Sequence, residues 1–163
     1  MPEGPSIILV KEAAVKFAGK KIIAVSGNSK IDQRILLDKE IIEFKSWGNL
    51  FLICLDGLTL KVHFLMFGSY TIDEKKPDRA IHLNLTFENG EINFNTCPVK
   101  YLEGDINKYY DWSADVMNAN WSPKDARRKL KEEPLKHICD ALLDQDIFLQ
   151  ESETSSKMRF FIS

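Results

Sequence analysis

Cysteine is scarce in this 163-residue chain, and what there is of it is scattered: Cys54, Cys97 and Cys139. An odd, widely spaced set gives no disulfide framework and fits a reducing compartment. No two cysteines stand as a C-x-x-C pair, which removes the usual cysteine zinc site. Long apolar runs are missing too; none approaches the roughly 20 residues needed to cross a bilayer. No basic stretch followed by an apolar one stands at the start, so no signal peptide is read there. These absences lead to the expectation of a cytoplasmic protein with no membrane partner.

An excess of positive charge is also lacking. Lysine and arginine number 22 against 24 acidic residues, a net charge of −2. Nucleic-acid binders are usually basic, so the total argues against one. The distribution argues less strongly. Residues 1–30 hold Lys11, Lys16, Lys20, Lys21 and Lys30 against Glu3 and Glu12. Residues 120–137 hold Lys124, Arg127, Arg128, Lys129, Lys131 and Lys136 against Asp125, Glu132 and Glu133. Two basic segments in an otherwise acidic chain are compatible with solvated helix faces or with phosphate contacts.

The remaining composition is that of a globular protein, 44% apolar and 28% charged. The length suits one domain with a core, or one domain and part of another. From Ser6 to Phe17, Ile7, Val10, Ala14 and Phe17 recur at helical spacing, with Ser6 a candidate N-cap. Residues 20–100 then read as antiparallel strands. "KKIIAVSG" and "KEIIEFKSWG" are strands ending in turns. "NLFLICL" and "LTLKVHFLMFG" flank Asp56-Gly57, and "IHLNLTF" and "EINFN" flank Asn89-Gly90. Both dipeptides are hairpin signals. The pattern predicts an α+β fold: a two-layer antiparallel β-sandwich with the first helix packed on it, followed by a partial helical domain. "EGDINKYYDWSADVMNANW" has no clear period and reads as a linker. "SPKDARRKLKEE" opens with Ser122 as N-cap, Pro123 at N1 and Asp125 at N3. Pro134 begins a second helix, with Ile138, Leu142 and Leu143 on its apolar face.

The start "MPEG" has chemistry available to it. Removal of Met1 would leave Pro2 as a secondary amine, partly neutral near pH 7 because α-amino groups have pKa values near ~8. Such an amine can attack a sugar C1′ and form an iminium, an electron sink for elimination. Glu3 beside it could shuttle protons. A frayed terminus is the plainer reading of the same residues.

"MPEGPSI" before a helix, "FKSWGNLFLICL", "VHFLMFGSY" and "WSPKDARRKL…ICDALLDQDIF", in this order, resemble the formamidopyrimidine-DNA glycosylase/endonuclease VIII family of base-excision repair enzymes. The resemblance extends over residues 1–150. It implies a catalytic β-sandwich domain over 1–110 and, over 111–150, a linker and the first half of a helix-two-turn-helix DNA-binding domain. It implies a DNA glycosylase/AP lyase that acts on damaged double-stranded DNA without a small-molecule cofactor. By the same resemblance Pro2 is the Schiff-base nucleophile and Glu3 the general acid/base. Met66 falls where the family inserts an apolar side chain into the gap left by a flipped nucleotide. An apolar wedge there offsets part of the lost stacking. A buried strand residue is the alternative for Met66. Lys124, Arg127 and Arg128 face phosphates, or else solvent.

Three departures qualify the match. Asn49, in "SWGNLFL", stands where the family usually has a lysine that contacts phosphate and assists catalysis. Asparagine keeps hydrogen-bond donors but has no charge; it can also be a simple turn residue, and Lys45 is the nearest lysine before it. In "NTCPVKYLEG" the Arg-Arg-Phe stretch of many formamidopyrimidine-type members is missing, which points toward endonuclease VIII-like members. Residues 151–163, "ESETSSKMRFFIS", stand where the family reads "GVGN" and another helix; the expectation is a chain without the second half of the helix-two-turn-helix and without the zinc finger of many relatives. These departures keep open a non-catalytic DNA-binding remnant or pseudoenzyme. A β-sandwich interaction module with an incidental N-terminus is the remote alternative.

The tail carries its own test. Codons for Glu151 to Ile162 can be chosen so that one G restored after codon 150 turns these twelve residues into G-V-G-N-I-I-K-N-E-V-L-Y. That text resembles the family continuation, so the tail reads as out of frame by one lost base in a G run. The expected finding in the coding DNA is a run that shifts into "GVGN"; codons that cannot be shifted so would end the idea.

Overall fold

The structure, a computed structural model, describes residues 4–74, 79–115, 117–132 and 137. Pro2, Glu3, the expected second helix from Pro134 and the tail lie outside the described residues. The chain divides into two compact units, Met1–Ile106 and Asn107–Ser163.

In the first unit, helix α1 spans Gly4–Ala14 and tightens into a 3-10 turn over Val15–Phe17. The expected apolar stripe is its buried side: Ile7, Val10, Ala14 and Phe17 are all buried. Ser6 is not the cap. The helix already begins at Gly4, with Pro5 in the first turn, where its missing N–H leaves no bond unmade.

Eight strands follow: β1 Ala24–Ser26, β2 Ile41–Trp47, β3 Leu50–Leu55, β4 Leu58–His63, β5 Ser69–Ile72, β6 Ile81–Phe87, β7 Gly90–Asn95 and β8 Val99–Glu103. They form two four-stranded antiparallel sheets, ordered β1-β6-β7-β5 and β2-β3-β4-β8. This is the two-layer sandwich that the alternation predicts. The hairpin signals sit at their turns: Leu55 pairs with Leu58 around Asp56-Gly57, and Phe87 with Gly90. Gly57 takes φ +72°, a left-handed position that a two-residue turn requires and a side chain resists.

The core lies between the sheets and under α1. Alternate residues supply it: Phe44 from β2, Phe51, Ile53 and Leu55 from β3, Leu58, Leu60 and Val62 from β4, and Ile92 and Phe94 from β7. A chain of aromatic rings runs through it, with centroids 5.5 Å apart for Phe44–Phe51, 6.0 Å for Phe51–Phe94 and 6.1 Å for Phe64–Phe94. Phe17, in the turn after α1, stacks on Phe87 of β6 at 4.5 Å. Lys16 pairs with Asp73 and Lys20 with Glu88 around the same contact. These pairs are exposed and add little; ring burial dominates.

In the second unit, 3-10 turns at Ile106–Lys108 (across the boundary) and Trp112–Ala114 lead to helix α2, Pro123–Glu132. Its start is as expected: the Asp125 N–H donates to Ser122 Oγ at 3.2 Å, and the Ala126 N–H to the Ser122 carbonyl at 3.1 Å. Lys129 reaches Asp111 at 3.4 Å and ties α2 to the preceding turn.

Phe51 joins both sheets through its rings and has no exposed surface. Phe51→Ala is expected to cost about 3–5 kcal/mol in urea denaturation. A loss below about 1 kcal/mol would show that the two layers do not share this core.

Candidate functional site

The β3–β4 register builds one end of the first unit. Gly48 and Asn49 form the two-residue turn between β2 and β3, and Leu50, next in line, sits opposite His63, the last residue of β4. Asn49 is thereby brought to His63, with its Nδ2 2.9 Å from the imidazole Nε2. The ring's tautomer sets which group of the pair donates. Lys45 does not take the place at 49: it lies two residues before Trp47 on β2 and pairs with Glu43 at 3.0 Å.

Directly after His63 the chain leaves the sheet. Phe64 turns inward, fully packed, with its ring 6.2 Å from Tyr70 and 6.1 Å from Phe94. Leu65, Met66 and Phe67 turn outward and are 43%, 52% and 70% exposed. Met66 is therefore a loop-tip residue, which removes the buried-strand alternative. Three large apolar side chains exposed in a row form a local patch of the sort that marks an interaction site.

The base of this tip is rigid. The Gly68 N–H donates to the Leu65 carbonyl at 3.0 Å, and the Leu65 N–H to that of His63 at 3.1 Å. Arg79 Nη1 donates to the Phe67 carbonyl at 3.0 Å and to Ser69 Oγ at 3.2 Å. Gly68 is packed so closely that a Cβ would sit 3.0 Å from Cys97 Sγ and 3.1 Å from the Phe64 backbone. The Cys97 thiol donates to the Asn95 carbonyl at 3.1 Å and lies 3.6 Å from that of Ser69. Burial pushes this thiol up to about 12, so it is a neutral packing group and not a nucleophile.

Lys124, Arg127 and Arg128 belong to the other unit, exposed on α2. Arg128 is bound into its own helix by Asp125 at 3.6 Å and Glu132 at 3.1 Å. The hydroxyl and N–H of Ser113, with Lys129, hold the Asp111 carboxyl below its ordinary range. No group of three or more His, Cys, Asp or Glu side chains among the described residues is arranged to hold a metal ion. No described helix is long and apolar enough to cross a membrane.

Sequence reasoning missed several neighbours. His63, Leu65, Phe67 and Arg79 complete the tip and its partner, and the apolar run "FLMF" beyond the strand was the available signal. Lys61 and Lys100, aligned with Lys45 and Leu52 in one cross-strand row beside the Leu50–His63 row, were not visible as a group.

Residues 1–97 match the model of the formamidopyrimidine-DNA glycosylase N-terminal domain. The chain belongs to this family. Solved structures with the same fold include a Lactococcus lactis formamidopyrimidine-DNA glycosylase bound non-covalently to DNA containing an AP site. That structure has 20% identity and a TM-score of 0.70, covering 89% of this chain and 63% of the other. A complex of the same glycosylase with a THF-DNA and an inhibitor has 19% identity and a TM-score of 0.63, covering 80% and 57%. A third, inhibited and with N7-benzyl-Fapy-dG DNA, has 19% identity and a TM-score of 0.63, covering 80% and 56%. No curated protein matches. At these identities the likeness establishes the fold, and the chain spans less than two thirds of the solved glycosylases' length. Within this family domain, the apolar tip and the Asn49–His63 pair are held together at one end of the β2-β3-β4-β8 sheet.

The buried thiol gives a pH test. An unfolded cysteine ionises from about pH 8.5, whereas folded Cys97 resists ionisation up to about 12. Its raised pKa leaves stability unaffected below the unfolded value and lowers it as pH climbs between the two. Stability is expected to fall by about 2 kcal/mol from pH 8.5 to 10 through this group alone. Urea midpoints for the wild type and Cys97→Ala check this; an equally steep alkaline loss in the variant would assign the loss to other groups.

Proposed function

We propose that the chain is a base-excision DNA glycosylase/AP lyase of the endonuclease VIII-like kind, acting on oxidised bases in double-stranded DNA. The observation that carries this reading is the exposed Leu65-Met66-Phe67 tip on a rigid base, within a domain of the formamidopyrimidine-DNA glycosylase family. Unstacked space in a duplex is the natural cover for such a tip. A base turned out of the helix leaves a hole, and apolar side chains entering it offset part of the lost stacking. Met66 is the central wedge, with Leu65 and Phe67 beside it.

The chemistry starts at the amine of Pro2, freed by removal of Met1. Its lone pair attacks C1′ as the C1′–N glycosidic bond breaks, and the leaving base takes a proton that Glu3 supplies; Glu3 then takes the proton of the new C1′–N bond's nitrogen and passes it to O4′ as the C1′–O4′ bond opens, which leaves a C1′ iminium. The resulting iminium draws electrons from C2′ once a C2′ proton is lost, which expels the 3′ phosphate. A second elimination expels the 5′ phosphate, completing β,δ-elimination. Asn49 hydrogen-bonds to a backbone phosphate, and Lys124, Arg127 and Arg128 supply positive charge from α2. Affinity for DNA rests mainly on such phosphate contacts. No cofactor is needed, because the iminium is the electron sink.

The competing reading is a relative that binds DNA without cleaving it. Asn49 favours it: a neutral amide replaces the family's cationic side chain, and its nitrogen lies 2.9 Å from His63 Nε2.

Borohydride reduction in the presence of an abasic-site oligonucleotide separates the two. A covalent adduct is expected, located at residue 2 by peptide mass in chains shown to lack Met1. Glu3→Gln should slow release of an oxidised base about 10²–10⁴-fold while still allowing capture at a preformed abasic site. Duplex binding with no adduct from chains lacking Met1 would establish the non-catalytic reading.

A further inference from the structure

Arg79 links two strands that are not neighbours. β5 and β6 flank β7, and Ser69, Asn95 and Ile81 lie in one cross-strand row at its end. Two strand spacings put β5 and β6 roughly 9–10 Å apart. β7 stops at Asn95, and the next residue, Thr96, takes φ +55°. Arg79 stands two residues before β6 and reaches across this end. Its Nη1 donates both to the Phe67 carbonyl, at 3.0 Å, and to Ser69 Oγ, at 3.2 Å. Arginine suits the task, because it is long and its donors are fixed in a planar fork.

The tip depends on this link on its outgoing side. On the incoming side the His63 and Leu65 carbonyls accept from the Leu65 and Gly68 N–H groups, so that half closes on itself. The Phe67 carbonyl takes its donor from another element. The Phe67 ring faces water, so it gives no packing that would hold its own backbone. Ser69, the first residue of β5, fixes the guanidinium from the sheet side. Neither acceptor is charged.

We propose that Arg79 is a positioning residue for Met66: by pinning the Phe67 carbonyl it fixes where the tip points, and so sets how strongly the chain prefers an unstacked duplex to an intact one. This rests on the reading of the tip as a wedge. A wedge already in place loses little freedom on insertion, and a loose one loses more. That cost falls only on a duplex with a hole, since an intact stack offers the tip no entry. Arg79 therefore acts on the ratio of the two affinities and not on attraction to DNA in general.

Two measurements on the full chain test this. In DNA-free protein, amide hydrogen exchange at Leu65 and Gly68 is expected to quicken in Arg79→Met, while the central amides of β3 and β4 exchange as before. Unchanged exchange at Leu65 and Gly68 overturns the link. Equal acceleration throughout the sheets makes Arg79 a general structural residue and overturns the proposal as well.

The second measurement compares affinities for a duplex carrying a tetrahydrofuran abasic-site analogue and for the same duplex intact. Arg79→Met is expected to weaken the first about tenfold and leave the second as it was. Arg79→Lys, shorter and without the fork, is expected to restore part of the preference. The salt dependence of both variants stays that of the unchanged protein. A slope shallower by about 0.9 in Arg79→Met alone would place the guanidinium on a phosphate instead and overturn the proposal. A preference kept intact in Arg79→Met overturns the proposal alone. An unchanged protein that binds both duplexes equally, or neither, overturns it together with the wedge reading.

Discussion

The antiparallel register of β3 on β4, which sets Leu50 opposite His63, is the constraint on which the site depends. Asn49 lies immediately before the first of these residues and the apolar tip immediately after the second. Side chains alternate along a strand, so a slip of one residue would send Leu50 and Leu52 into the core and turn Phe51 and Ile53 out. Burial of Phe51 against Phe44 and Phe94 resists that slip. The position of a polar pair at the sheet end is thus held by aromatic packing in the middle, and the hairpin turn at Asp56-Gly57 fixes the same register from the other end.

The tip follows from a division of labour within four residues. Phe64 is buried between Tyr70 and Phe94, which stabilises the strand end by about 1.5–3 kcal/mol for a side chain of that kind. Leu65, Met66 and Phe67 give up that gain by facing water. Their backbone is meanwhile held by Arg79, by the turn to Gly68 and by the contact of Gly68 with Cys97. A segment kept rigid while its apolar side chains stay exposed has already met the ordering cost of binding. Flexible apolar residues would collapse onto the nearest surface instead. Cys97 serves this arrangement as a small apolar filler whose thiol still bonds to carbonyls across the join.

Much of the scaffold was legible in the sequence because its signals are local. The stripe Ile7, Val10, Ala14, Phe17 marks the buried side of α1, Asp56-Gly57 and Asn89-Gly90 mark turns, and Ser122 before Pro123 marks the start of α2. The site was less legible because its defining relations are not local. "LTLKVHFLMFG" is apolar almost throughout, and hydrophobicity alone cannot say that the strand stops at His63 or that Phe64 and Phe67 face opposite ways. Asn49 and His63 are 14 residues apart and meet only through sheet register. Lys45, Lys61 and Lys100 come from three strands and form a row only once β2, β3, β4 and β8 are aligned. Ser6 misled for a related reason: a good capping residue was read as the cap, although Pro5 allows the helix to begin earlier.

Asparagine at position 49 separates two tasks that one lysine would combine. A lysine supplies fixed charge to a phosphate and keeps it whatever is bound, whereas Asn49 carries no charge and stands within hydrogen-bond distance of His63. Fixed charge favours any polyanion at long range, with strong salt dependence. A carboxamide contributes only when an acceptor comes within hydrogen-bond distance, so it selects for geometry more than for charge. The chain carries slightly more acidic than basic residues, so on the proposed reading its net charge adds nothing to long-range attraction toward a polyanion. The proposed function then places discrimination on short-range features: an apolar tip rewarded only where a duplex is unstacked, and a carboxamide rewarded only where a phosphate is correctly placed beside it. Both features are held by the pairing of β3 on β4, which fixes their orientation to each other.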